Sequence, residues 1–204
     1  MTIAKGRPWG APGRLPADGV VVRTDAEAGR IVSEARRAGT SPPVIGLLGG
    51  DLCRTLGGTG DEARLLSERA VIFPIDIASV TVDGHQQWFV AHVVAHNRLW
   101  TRGVAALNAQ WIGEWNIGPR GHPDDGRLDV YEARLTLGDV PKVRARLPTG
   151  SHLPHPRIRE RRVVAADFTW ERPLPVWVDG ARLPGGAVRQ LSVRIEPDGA
   201  RVVI

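Results

Sequence analysis

The chain has 204 residues, 42% hydrophobic and 24% charged, which suits one substantial folded core and excludes wholesale disorder. Its net charge of +5 sets 27 Lys and Arg against 22 Asp and Glu, and a single cysteine, Cys53, excludes an internal disulfide and suits a reducing compartment. No apolar run approaches the roughly 18 residues that span a bilayer, and the first turn-rich stretch lacks the apolar core of a signal peptide, so the expected setting is the cytoplasm.

In chain order, residues 1–18 carry Gly and Pro turn signals around Trp9 and read as an arm or loop. Residues 19–24 form a short apolar run typical of a buried strand. Residues 25–37 follow as a helix, with Thr24 or Asp25 as N-cap and Ala28, Ile31, Val32 and Ala35 on one face. A second buried strand over 43–48 ends in Gly49-Gly50-Asp51. These elements make one β-α-β unit, the smallest parallel-sheet element. A compressed stretch over 52–60 precedes a short helix from Asp61 to about Arg69.

Beyond residue 70 the pattern changes to short strand-like runs separated by turns. The runs cover 71–77, 79–82, 88–94, 128–135, 142–147, 162–168, 175–178, 190–195 and 201–203. The turns Asp83-Gly84, Asp125-Gly126, Asp179-Gly180 and Asp198-Gly199 favour tight reversals. The expected architecture is a small βαβ lobe (1–70) packed on an antiparallel β-sandwich (71–204). A parallel pair of strands would leave one edge open, so either a homodimer through that edge or residues 1–18 folded over it is expected.

Several constellations bear on chemistry. Gly49-Gly50-Asp51 stands at the carboxyl end of a parallel strand, where open α/β sheets bind ligands. Gly58, Thr59 and Gly60 open a helix whose backbone N–H groups suit an anion. Asp124, Asp125 and Asp129, bent by Pro123 and Gly126, form an acidic turn of the kind that holds a hard cation. Trp111 and Trp115 flank a glycine and suit the wall of a groove for an acyl chain or base. Two basic windows, Lys142 to Arg146 and Arg157 to Arg162, attract polyanions. They keep open the reading of a basic module for anionic membrane or nucleic acid, the latter the weaker option.

The ordered series resembles the diacylglycerol kinase and sphingosine kinase superfamily of lipid kinases. Gly49-Gly50-Asp51 matches the start of its G-G-D-G-T turn. Thr59, Gly60, Ala63 and Arg64 match G-T-G-N-D-x-A-R, with Asp61 in place of Asn. The likeness continues through Pro74-Ile75-Asp76-Ile77, the run Pro123 to Val130, Gly150-Ser151-His152 and Val178-Asp179-Gly180. The resemblance implies an NAD kinase/diacylglycerol kinase-like fold with ATP and magnesium. It implies nucleotide contacts at Thr24, Gly49, Gly50, Asp51, Gly58, Thr59 and Gly60. It implies a metal held by Asp125 with the carbonyls of His122 and Arg127.

The chain also departs from the pattern. Leu52-Cys53 replaces Gly-Thr, and too few residues separate the two glycine motifs for the family's helix and strand. Ala181 stands where the resemblance places the Glu that takes the proton from the lipid hydroxyl, leaving Asp179 or Glu171 as possible substitutes. A methyl group accepts no proton, and general-base help is worth about 10²–10⁴ in rate. The reading is therefore a lipid-kinase-like protein that keeps a lipid- or nucleotide-binding cleft without efficient phosphoryl transfer. The alternative is an active, atypical lipid kinase.

Overall fold

A computed structural model describes residues 9–204. The chain opens with β1 (Ala11–Pro12), β2 (Val20–Val22), α1 (Asp25–Arg37), β3 (Ile45–Leu47), α2 (Gly50–Thr55) and α3 (Glu62–Leu65). The strands β4 (Val71–Val82), β5 (His85–Phe89), β6 (His92–His96), β7 (Arg102–Leu107), β8 (Trp111–Ile112), β9 (Trp115–Asn116) and β10 (Leu128–Arg134) follow. Then come α4 (Asp139–Arg146), a 3₁₀ turn (Leu147–Thr149), β11 (Ile158–Val163), β12 (Ala165–Val178) and β13 (Ala181–Val203).

Helix α1 starts where the sequence places its cap. The Thr24 hydroxyl accepts from the Glu27 N–H at 3.2 Å, and the Glu27 carboxylate accepts from the Thr24 N–H at 3.1 Å, a reciprocal capping box. Ala28 and Val32 face inward, four residues apart and fully buried.

Strand order in the main sheet is β1-β4-β13-β12-β6-β7-β10-β11, with β5 paired to β4. The parallel pair β2–β3 is not a separate layer. Val202 and Val203 at the end of β13 pair with Ile45 and Gly46 of β3 while also pairing with Phe73 and Ile72 of β4. One core follows the same path: Val22, Val32, Ile45 and Leu47 pack with Ile75, Ile77, Val90 and Val202. A second core, with Val80, Phe89, Val93, Val176 and Leu191, fills the antiparallel region.

The edge expected to be open is therefore half closed. Strand β13 takes the free side of β3, and β2 is left as the edge, with Val20 and Val21 exposed. The described part of the arm does not cover it. Ala11 and Pro12 pair with Ile72 and Val71 at the β4 edge instead; residues 1–8 lie outside the described residues.

Other differences have simple causes. The run 142–147 is helix α4, not a strand. Its alternating Lys142-Val143-Arg144 also fits a helix in which Val140, Val143 and Leu147 face one way, and Asp139 fixes the start by accepting from the Thr136 N–H and hydroxyl. Two turns reverse the chain as expected: Asp83-Gly84 (φ 49° and 78°) joins β4 to β5, and Asp179-Gly180 (φ 48° and 80°) joins β12 to β13. Asp198-Gly199 instead forms a bulge inside β13, where the register to β4 shifts between Glu196 and Ala200. Strand β7 was not foreseen. No helix among the described residues is long and apolar enough to cross a membrane.

Candidate functional site: a filled anion nest and an apolar pocket

The parallel pairing of β2 and β3 brings the starts of α1 and α2 to the same end of the sheet. Asp25 therefore meets the glycine turn. Its carboxylate accepts from the backbone N–H of Asp51 at 2.5 Å and of Leu52 at 3.1 Å. The backbone groups that would cradle an added phosphate are taken by a side chain of the same chain.

Around this pair lies a buried polar cluster. His92 Nε2 and Asp51 Oδ2 are 2.8 Å apart, and Asp51 Oδ1 accepts from the Gly113 N–H at 2.8 Å. Asp179, at the β12–β13 turn, accepts from the N–H groups of Val90, Ala91 and His92 at 2.9–3.0 Å. Asp25, Asp51 and His92 bring ligand-type atoms within 4.8 Å of one another. Both carboxylates are nevertheless committed to backbone donors.

Burial and the Asp179 charge push the Asp25 carboxyl up to about 7. Burial also raises Asp179, to about 6. Burial pulls His92 down, but its hydrogen bond to Asp51 and the surrounding carboxylates carry it above its usual value.

The sign for stability follows from proton counting. Between 3.8 and about 7 the folded chain holds the Asp25 proton that the unfolded chain has released. Stability contributed by Asp25 is thus fully present below that window and is lost as pH rises through it, and Asp179 and His92 act in the same direction. Thermal melting across a pH series should show Tm falling by several degrees over this range. The decline should flatten in Asp25→Asn; a Tm that rises through the window would contradict the arrangement.

The other sequence-predicted residues have their own partners. The Thr24 hydroxyl is used in the α1 cap. Gly58 closes the far end of α2, its N–H donating to the Cys53 carbonyl at 2.9 Å, and Gly60 packs beside the first glycine turn, where a Cβ would meet the Leu48 carbonyl at 2.8 Å. Thr59 is exposed, and Asp61 caps α3 through the Ala63 N–H. The second glycine turn connects α2 to α3 and packs beside the first.

Asp125 belongs to a third neighbourhood. Its oxygens accept from the Arg127 N–H and pair with the Arg162 guanidinium, which also reaches Asp129 at 3.1 Å. Asp76 ties the turn down by accepting from the Gly126 N–H at 2.6 Å and the Asp198 N–H at 3.0 Å. The His122 ring packs on Trp9 at 4.1 Å. Burial raises Asp124 and Asp129 to about 6 and also raises Asp125, against the opposing pull of Arg162. A magnesium ion held by Asp125 would have to displace this guanidinium. Ala181 follows the Asp179 turn with only a methyl group, and the Glu171 carbonyl accepts from Arg189.

Sequence reasoning did not find an apolar pocket of about 120 Å³ between β6, β7, β10 and α4. Val94, Ala105, Val140, Val143 and Leu147 line it, with Trp100 and Trp115 at its side. Of the two tryptophans expected to wall a groove, Trp115 lines this pocket, and Trp111 lies instead under the Arg54 guanidinium. Two wall residues, Tyr131 and His152, each carry a buried polar atom without a hydrogen-bond partner, Tyr131 Oη and His152 Nδ1. Burial keeps the Tyr131 phenol protonated and pulls His152 down, so both are neutral near pH 7.

No protein-family model and no curated protein matches the sequence. Three solved structures from Bacillus anthracis str. Sterne do match in shape, one described as a diacylglycerol kinase and two given that name provisionally. They superpose with TM-scores of 0.61, 0.68 and 0.66 at 14% identity. Each match covers 91% of this chain and 75–77% of the relative. The mostly antiparallel sheet with few helices is therefore the diacylglycerol-kinase fold.

Proposed function

We propose that this protein is a lipid-binding member of the lipid-kinase-like fold that does not transfer phosphate efficiently. The pocket under α4 carries the reading. It is apolar, comparable to the ~150 Å³ cavities that admit benzene, and has two neutral hydrogen-bonding groups on its wall. A neutral amphiphile with an acyl chain and a hydroxyl or ester suits these two neutral groups, while the exposed Arg144 is the one Lys or Arg among the lining residues.

Three observations speak against efficient phosphoryl transfer. Asp25 occupies the N–H groups of the glycine turn. Arg162 occupies the Asp125 carboxylate. Asp179, the nearest substitute for the missing base at Ala181, spends both oxygens on three backbone donors. Phosphoryl transfer depends on positioning and charge neutralisation, and each of these losses touches one of them.

Melting with soluble dioctanoylglycerol and, separately, with ATP and magnesium tests the reading. A ligand at about 100 times its Kd adds about 2.7 kcal/mol, or roughly 5–10 °C in Tm for a chain this size. The lipid should give such a shift, Ala105→Phe should abolish it by filling the pocket, and ATP with magnesium should give none. Magnesium-dependent transfer of labelled phosphate to the lipid, or a flat lipid titration, would overturn it.

A further inference from the structure

The mouth of the pocket carries features that the pocket itself does not need. The β6–β7 hairpin tip, residues 97–101, projects Leu99 (58% exposed) and Trp100 (37% exposed). The loop between β10 and α4 projects Leu137, 67% exposed. These two segments are neighbours, because the Leu135 N–H donates to the Thr101 carbonyl at 2.7 Å. Three of the seven exposed large apolar residues among those described thus gather at one end of the molecule.

The tip is held rigid. The Asn97 side chain accepts from the Arg102 N–H and donates to the Thr101 hydroxyl, at 3.1 and 2.8 Å. The Trp100 ring stacks on His96 at 3.6 Å, and His96 stacks in turn on Trp177 at 4.5 Å. An apolar tip fixed this way enters a receiving phase with little ordering cost.

Charge at the same end points to the partner. Arg102 and Arg134 are direct cross-strand partners on β7 and β10, both exposed. Like charges opposite each other destabilise a sheet, and neither arginine has an ion pair among the described residues. Arg98, Lys142 and Arg144 are exposed nearby, with Arg144 lying over the Trp115 ring at the pocket wall. Two acids of this end are engaged, Asp139 with Arg157 and Glu132 with Arg161, and the exposed Glu114 beside Trp115 is outnumbered by the arginines. An unneutralised arginine pair beside exposed Leu, Trp and Leu tips matches an anionic lipid surface, with phosphates for the arginines and headgroup-depth apolar volume for the tips.

We infer that this end of the protein docks on an anionic bilayer, the tips of residues 97–101 and 135–138 entering the headgroup region so that the pocket mouth faces the lipid. The inference rests on the lipid-binding reading for the use of that orientation; its chemistry rests on the exposed groups alone.

Co-sedimentation with vesicles of phosphatidylcholine and phosphatidylglycerol in equal parts, against phosphatidylcholine alone, tests it. The chain should pellet with the mixed vesicles and far less with the neutral ones. A basic side chain at such a surface is worth about fivefold in affinity, so Arg102→Glu with Arg134→Glu should weaken mixed-vesicle binding by at least about tenfold. Leu99→Asp with Leu137→Asp should do the same, with Tm unchanged because both leucines are exposed and neither lines the pocket. Wild-type protein that stays in the supernatant, or variants that pellet like wild type, would overturn the docking face. So would a nucleic-acid duplex that binds as tightly as the mixed vesicles and displaces them. The soluble-lipid melting shift reads the pocket separately: retained in Leu99→Asp with Leu137→Asp while wild type ignores vesicles, it would leave the pocket reading standing and the docking face refuted.

Discussion

Asp179→Ala should lose about 3 kcal/mol or more of stability, measured by urea unfolding. Its carboxylate is buried at the β12–β13 turn and satisfies the backbone N–H groups of Val90 and Ala91, between β5 and β6, and of His92, which opens β6. Each donor left without a partner costs about 1–3 kcal/mol, and alanine is strained at the positive φ of 48°. Relief of repulsion with Asp25 recovers part of this, which keeps the expected loss below the simple sum. Asp179→Asn keeps one acceptor oxygen and tolerates the turn, so its loss should fall between wild type and alanine. The comparison separates two roles for this side chain. A general base would lose function in Asn while stability stayed level. A bracket holding β5, β6 and the hairpin together loses stability in graded steps, and an alanine variant within about 1 kcal/mol of wild type would refute that role.

Gly50→Ala should be nearly as damaging. Gly50 has φ +94°, and a Cβ there would sit 2.5–2.8 Å from three atoms of the Asp25 carboxyl. Strain at such a backbone conformation costs on the order of 1–3 kcal/mol, and the buried contact adds to it, so a loss of roughly 3 kcal/mol is expected. Gly57→Ala is the control. Gly57 also has positive φ, +79°, but open space where its Cβ would go, so it should lose only about 1 kcal/mol. In an Asp25→Ala background the steric part of the Gly50→Ala loss should disappear. Equal losses at Gly50 and Gly57 would mean that the glycine turn does not enclose Asp25.

Much of the fold was legible because it depends on local chemistry. Thr24 or Asp25 ahead of the apolar face announced a helix start, and Asp83-Gly84 and Asp179-Gly180 announced reversals that need positive φ at both positions. Strand β7 was missed because Arg102-Gly103-Val104-Ala105-Ala106-Leu107 is built from small residues with no clear alternation. The run 142–147 was misread because three alternating charges fit a strand and a helix equally well.

The site was harder to see. The glycine turn was found, but not what fills it, since Asp25 reaches Asp51 across 26 residues. A signal did exist: a βαβ unit puts both helix starts at the carboxyl ends of neighbouring parallel strands, so an acid at the first start faces the turn at the second. The two glycine turns lie against each other, with Gly60 packed on the carbonyl of Leu48, the residue before Gly49. Gly58 also serves the end of α2, and Asp125 turns to Arg162. The pocket was out of reach because its walls come from residues 94 to 158, brought together only by the order β6-β7-β10-β11.

Strand β13 also constrains how the molecule is made. Ile45 and Gly46 of β3 find their second neighbours only in Val202 and Val203. On a ribosome adding about 5–20 residues per second, the β2–β3 pair is exposed for on the order of ten seconds before its partner exists. Closure then joins residues far apart along the chain, a pairing that is slow to nucleate. The newborn amino-terminal third is thus an unfinished sheet awaiting its last thread, and this interval is when chaperone shielding would matter most.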